Sequence, residues 1–169
     1  AKGCEVFGTA GSDEKCSFLE KDLGLTKAIN YKTCGHLIKS FHSACPNGVD
    51  VYFENVGGSH LEAALSIMRP NGRIALCGMI EQYNDTAPRP GPNNLMAAIA
   101  KSLKIEGFIV SNHSDLSEKF LTDMKSWIDS GKMQWKETID EGIESAPGAF
   151  LKLFKGQNFG KMLVKIADK

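Results

Sequence analysis

The sequence predicts an α/β protein: a doubly wound parallel sheet followed by a short β-α-β segment. Three observations predict it. Strand-like and helix-like stretches alternate with short turns as far as Gly131, the pattern of βαβ units with helices on both sheet faces. The stretch Val49-Asp-Val-Tyr-Phe53 has the β-branched and aromatic make-up of a buried strand. After residue 133 the pattern changes to two strands flanked by lysines around a single helix.

Taken in order, Cys4–Ala10 reads as a strand, punctuated by Gly11-Ser12-Asp13. A helix follows, with Cys16, Leu19 and Leu23 on one face and Gly24 as its C-cap. Ala28–Tyr31 is a second strand, 35–45 a helix, and Pro46-Asn-Gly48 a turn before the strand Val49–Phe53. Gly57-Gly58 ends that strand. Ser59, with Glu62 three residues on, predicts a capping box for a helix whose Leu61, Ala64, Leu65 and Met68 share one face. Pro70-Asn-Gly72 stops it, and Arg73–Cys77 is the next strand. A polar loop with three prolines runs from Glu81 to Asn94. A helix at 94–103, a strand at Ile105–Val110 and a helix at 115–130 follow. The tail holds strand Trp135–Ile139, helix 144–155 and strand Met162–Ile166.

Composition narrows the function classes. Twenty basic residues balance twenty acidic ones, which gives no electrostatic reason for a nucleic-acid or anionic-membrane partner. No apolar run reaches membrane-spanning length. The five cysteines have no CxxC spacing and the four histidines form no HxxxH cluster, so neither a metal site nor a redox pair is expected. Scattered, unpaired cysteines fit a reducing, cytoplasmic setting.

In a doubly wound sheet, ligands sit beyond the C-terminal ends of the strands. After the first strand, Ala10-Gly11 is small and uncharged where an NAD-preferring fold usually places a carboxylate. Ser12 stands at a helix N-terminus and Lys15 one turn in, a combination able to hold the 2′-phosphate of NADP. The plainer alternative makes Ser12 an N-cap and Lys15 a solvated residue. After Val49–Phe53, Asn55 can bond a cofactor amide or ribose, or the segment is simply a strand-to-helix turn. After Arg73–Cys77, Tyr83 offers a ring to cover a substrate and a hydroxyl for a developing enolate, or is a packing aromatic. The chain contains no GxGxxG, GxSxG or P-loop.

Together these runs carry a resemblance. Ala10-Gly-Ser-Asp-Glu-Lys15, Ile29-Asn-Tyr-Lys32, Gly48 to Gly58, Gly72 to Gly78, Gln82-Tyr-Asn84, Pro90-Gly-Pro92, Ile105-Glu-Gly-Phe108, Gly131-Lys132 and Asn158-Phe-Gly-Lys161 occur in order along the chain. They resemble the zinc-independent medium-chain dehydrogenases/reductases, in particular the alkenal/prostaglandin-reductase and curcumin-reductase group. The resemblance implies an NADP(H)-dependent oxidoreductase that reduces the C=C bond of α,β-unsaturated aldehydes or ketones. Hydride goes to the β-carbon and the enolate is then protonated. It implies Lys15 and Tyr31 at the 2′-phosphate, Asn55, the segment Cys77, Gly78, Met79, Ile80 to Tyr83 along nicotinamide and ribose, Phe108, Ile109 and Val110 at a strand end, and Asn158 near the terminal Gly-Lys. Tyr83 also borders the substrate. A cytoplasmic homodimer is expected of the whole enzyme.

The same resemblance implies an incomplete Rossmann fold. Ala1–Cys4 corresponds to the end of the helix that follows the glycine-rich turn, so the substrate domain, the first strand and the pyrophosphate site are expected to lie outside these residues. Residues 1–133 would then be a partial NADP-binding domain, and 134–169 a segment returning to a GroES-like substrate domain. The first strand is central in the 3-2-1-4-5-6 order. Three outcomes are therefore open: direct pairing of the strands at Cys4–Ala10 and Val49–Phe53, exchange in a dimer, or an open gap. The chain by itself is expected to bind NADPH poorly, to show no turnover, and to expose apolar surface on its tail. A non-catalytic nucleotide-binding or structural relative, such as a crystallin, is the alternative function. A methyltransferase is disfavoured by the uncharged end of the first strand.

Overall fold

The computed structural model describes residues 2–167. The first half alternates β1 (Phe7–Ala10), α1 (Asp13–Lys21), β2 (Lys27–Asn30), α2 (Leu37–Ala44), β3 (Val49–Glu54), α3 (Gly58–Ile67) and β4 (Met68–Leu76). Then come α4 (Met96–Ala100), β5 (Lys104–Gly107), α5 (Ser117–Asp129), β6 (Glu137–Glu141), α6 (Ala146–Lys155) and β7 (Lys161–Lys165). All strand pairs are parallel.

The strands do not form one sheet. β1 pairs with β2, β3 and β5 flank β4, and β6 pairs with β7. Among the described residues no ladder joins β1 to β3, so the two strands do not pair directly within the chain. Val51 and Phe53 of β3 are more than half exposed. Such an uncovered edge carries backbone groups with no strand partner.

α3 is the centre of the core because it is apolar on two faces. Ala63, Ala64 and Ile67 pack with Phe41 and Cys45 of the α2 region. Leu61 and Leu65 pack with Met68 and Ile74 of β4. Ala63 and Ala64 expose nothing to solvent, and their small side chains let α2 approach closely. Lys101 closes the far end of α3 by donating from Nζ to the carbonyls of Leu65 (3.1 Å) and Ser66 (2.8 Å).

Several expectations are corrected. The capping box does not form: Gly57 is the N-cap of α3 and makes no side-chain cap bond. Glu62 instead accepts from the Asn93 backbone N–H at 2.9 Å, tying the proline-rich loop to α3. Pro70–Gly72 does not stand outside the strand. Asn71 adopts φ 63° within β4, and the β3–β4 register shifts between Val49 and Val51 to absorb the turn. The first strand is shorter than expected, because residues before Phe7 have no ladder partner. The strand expected to run to Val110 ends at Gly107, and a 3-10 stretch, Val110–Leu116, leads into α5.

The tail is a β-α-β unit. Lys152 of α6 holds Asp140 of β6 with both carboxylate oxygens at 2.7 Å. It is not detached from the first half. Phe159 meets Phe18 of α1 edge-on at 5.3 Å, and the Lys136 ammonium lies 4.5 and 4.8 Å from the centroids of those two rings. Its other face stays apolar and open: Trp135, Ile139, Ile143, Phe150, Leu151 and Phe154 are each more than half exposed.

Candidate functional site: the C-terminal strand edge

Two clusters of side chains gather at the C-terminal ends of the strands. The first surrounds the β1–α1 turn. Ser12 is the N-cap of α1, and its Oγ accepts from Lys15 N–H at 3.2 Å. Lys15 is not a freely solvated cation: its Nζ donates to the Gly156 carbonyl at 2.7 Å. Gly11 supplies space. A methyl group there would lie 3.1 Å from Tyr31 Oη and 3.2 Å from Lys32 Cε. Lys32 Nζ in turn lies 4.0 Å from where a Cβ of Gly156 would be. Two ammonium groups and a phenol therefore converge on an uncharged turn at a helix N-terminus, a suitable donor set for a phosphoryl group. Asn158 sits nearby in sequence, its Nδ2 donating to Gly160 O at 2.8 Å.

The second cluster is built by two loops laid side by side. Cys77 and Gly78 donate from their backbone N–H groups to Glu54 O, Ile80 to Asn55 O and Glu81 to Val56 O, at 2.9 to 3.1 Å. These bonds continue the β3–β4 ladder beyond the strands and fix Asn55 opposite Ile80. The Asn55 side chain is exposed. Tyr83 folds back so that its hydroxyl oxygen accepts from Met79 N–H at 3.2 Å, which leaves the phenolic proton available to donate. A cleft of about 510 Å³ opens here, lined by Cys77, Gly78, Met79, Tyr83, Phe108 and Ile109 among others. Phe108 is held between Phe53 and His113, both edge-on at 5.9 Å. Ile80 and Val110 are exposed beside it.

Tyr31 and His60 join the clusters. Their rings meet edge-on at 5.1 Å, and His60 also faces Phe41 at 6.3 Å. His60 is 5% exposed and neither ring nitrogen has a hydrogen-bond partner. Burial holds its pKa below the usual imidazole value, although the charges of Glu81 and Glu54 pull the other way. Glu54 is fully buried. One of its carboxylate oxygens accepts from the N–H groups of Val56 and Gly57, shaping the loop that carries Asn55. Burial, then the Glu54 charge, pushes the Tyr52 hydroxyl up.

Sequence reasoning missed Lys32, Glu54, His60 and Arg89. Lys32 stood in the quoted Asn-Tyr-Lys run beside Tyr31. Glu54 ended a strand where a solvated turn was expected. Arg89 lay four residues beyond Asp85, an opposite-charge spacing passed over because the segment read as irregular loop. Among the described residues no group of three or more His, Cys, Asp or Glu could hold a metal ion, and no helix is long and apolar enough to cross a membrane.

Parallel strands alternating with helices, with a cationic turn and an apolar cleft at their C-terminal ends, match the nucleotide-binding part of dehydrogenases and reductases. The chain belongs to the zinc-binding dehydrogenase family, whose model matches residues 1–126. It is 44% identical over 169 residues to the putative NADP-dependent oxidoreductase YfmJ of Bacillus subtilis (99% of this chain, 50% of that protein). It is 46% identical over 165 residues to prostaglandin reductase 1 of Rattus norvegicus (97% and 50%). Its fold superposes on CurA from Vibrio vulnificus, solved in complex with NADPH, with a TM-score of 0.91 at 37% identity, covering 99% of this chain and 51% of that one. The chain thus spans about half the length of the relatives it matches.

Proposed function

We propose that this chain is the coenzyme-binding portion of an NADPH-dependent reductase acting on the C=C bond of α,β-unsaturated aldehydes and ketones. One observation carries the reading: Lys15, Lys32 and the Tyr31 hydroxyl converge on the uncharged Gly11 turn, where a carboxylate would select NAD. The names of its relatives, among them a 2-alkenal reductase of Nicotiana tabacum, and the NADPH bound by CurA support it.

In this reading Ser12, Lys15, Tyr31 and Asn158 serve the adenosine end of the coenzyme. Asn55, Cys77, Gly78, Met79 and Ile80 serve the ribose and nicotinamide end, with Phe108, Ile109 and Val110 following the end of β5 beside it. The coenzyme, when bound, supplies hydride for the substrate β-carbon. The chain's own residues bind and orient it, and the apolar wall of the cleft limits water. Tyr83 keeps its oxygen on Met79 N–H and offers its proton toward a carbonyl oxygen gathering negative charge.

Residues 1–133 then form the nucleotide-binding unit, and 134–169 the return toward a substrate domain. Its exposed apolar face supports that placement. The unpaired outer edge of β5 and the exposed Ile109 and Val110 support assembly as a homodimer. The open β3 edge supports weak NADPH binding and no turnover by these residues alone. The deciding experiment titrates the product of the complete reading frame with NADPH and NADH, and follows enone-dependent NADPH oxidation. Tighter NADPH binding with turnover is expected; equal affinity for both coenzymes would reject the phosphate site.

A further inference from the structure

The segment from Ile80 to Asn94 has a single 3-10 turn, Ile80–Gln82, and three prolines, yet it carries Tyr83. Its far end is tied to α3: Asn93 N–H donates to Glu62 Oε1 at 2.9 Å and Asn94 Nδ2 to Glu62 O at 2.8 Å. Its near end is tied by the backbone bonds to Asn55 and Val56. Between these points Arg89 forms a clamp. Nη1 meets Glu81 Oε1 at 2.7 Å, while Nε and Nη2 grip the two oxygens of Asp85 at 2.7 and 2.9 Å. The three side chains are each about one-third exposed or less, so solvent screens them only in part. Glu81 also approaches α3. Its carboxylate lies against Gly58 at the N-terminus of α3, where the helix end favours negative charge. Arg89 therefore bridges the residues two before and two after Tyr83, whose ring is 65% exposed and whose hydroxyl rests on Met79 N–H.

We propose that Arg89 is a positioning residue that sets substrate recognition: by joining Glu81 to Asp85 it holds the Tyr83 ring in place at the cleft. This rests on the reading that Tyr83 borders an enone. A lysine replaces it only in part, because an ammonium lacks the planar fork that engages two carboxylates at once.

Two measurements test the inference. In the product of the complete reading frame, Arg89→Gln is expected to raise the KM for crotonaldehyde about fivefold, the scale of a partly screened ion-pair network. NADPH affinity stays unchanged, and Arg89→Lys recovers only part of the loss. Added sodium chloride raises the KM of the parent protein and leaves that of Arg89→Gln flat. An unchanged KM, or a parallel loss of NADPH affinity, overturns the proposal. On the present chain, chymotryptic cleavage after Tyr83 is expected to be faster in Arg89→Gln, and equal rates also overturn it. If the parent protein shows no crotonaldehyde-dependent NADPH oxidation, the functional reading fails, and the cleavage rates still decide whether Arg89 holds the loop.

Discussion

The Lys15 ammonium donates to the Gly156 carbonyl across 141 residues of sequence, at 2.7 Å. This contact brings the end of α6 over the turn that follows β1. It does not exhaust Lys15, since an ammonium has three donors and can hold a carbonyl and a phosphoryl oxygen together. Lys15→Ala in the complete protein is therefore expected to weaken NADPH binding about ten- to a hundredfold, the loss of one or two charge-assisted bonds. NADH binding should hardly change. Fluorescence titration with both coenzymes checks this, and equal losses for the two would remove the phosphate role of Lys15.

Tyr83→Phe removes the phenolic proton and the acceptor for Met79 N–H. The expected result is a fall in kcat of about tenfold to a hundredfold, as for the loss of one donor to a developing oxyanion. NADPH affinity should hold, because the ring still covers the cleft. Steady-state kinetics beside a direct binding measurement separate the two effects. Retention of full kcat would show that another donor serves the substrate.

Gly58 has φ +47°, and a Cβ there would collide with the Glu81 carboxylate. Gly58→Ala must both strain the backbone and displace Glu81 from the α3 terminus. The expected cost is about 1–3 kcal/mol. Urea denaturation of the chain reads it as a lower midpoint at unchanged slope.

His60 makes stability depend on pH. Its folded pKa lies below the ordinary 6.5, because burial disfavours the imidazolium. The unfolded chain therefore binds the proton first. Stability from this site is present above pH 6.5 and is lost as pH falls from there through the folded value. His60→Phe fits the aromatic pocket of Tyr31 and Phe41 without a titrating group. Denaturation midpoints from pH 8 to about 5 should fall less steeply in this variant than in the parent. Identical slopes would place the pH dependence elsewhere.

Much of the site was legible because its determinants are local. The Gly11-Ser12 turn, the Lys15 spacing and the Cys77–Tyr83 segment could be placed at strand ends from residue order alone. What escaped was set by packing. Glu54 looks like a turn carboxylate until it is seen fully buried, accepting from the Val56 and Gly57 N–H groups. Glu62 looks like half of a capping box until Asn93 arrives to use it. Arg89 looks like one charge in a proline-rich loop until Asp85 and Glu81 are seen in its reach.

The amino-acid sequence by itself determined the alternation of strands and helices, the apolar faces of α3 and the uncharged turn after β1. Periodicity, β-propensity and turn chemistry act over a few residues and need no partner. Tertiary structure alone decided that β1 and β3 do not pair with each other among the described residues, that Lys15 meets Gly156, and that Arg89 joins Glu81 and Asp85. Such contacts depend on which surfaces are buried against each other, and burial is a property of the assembled chain.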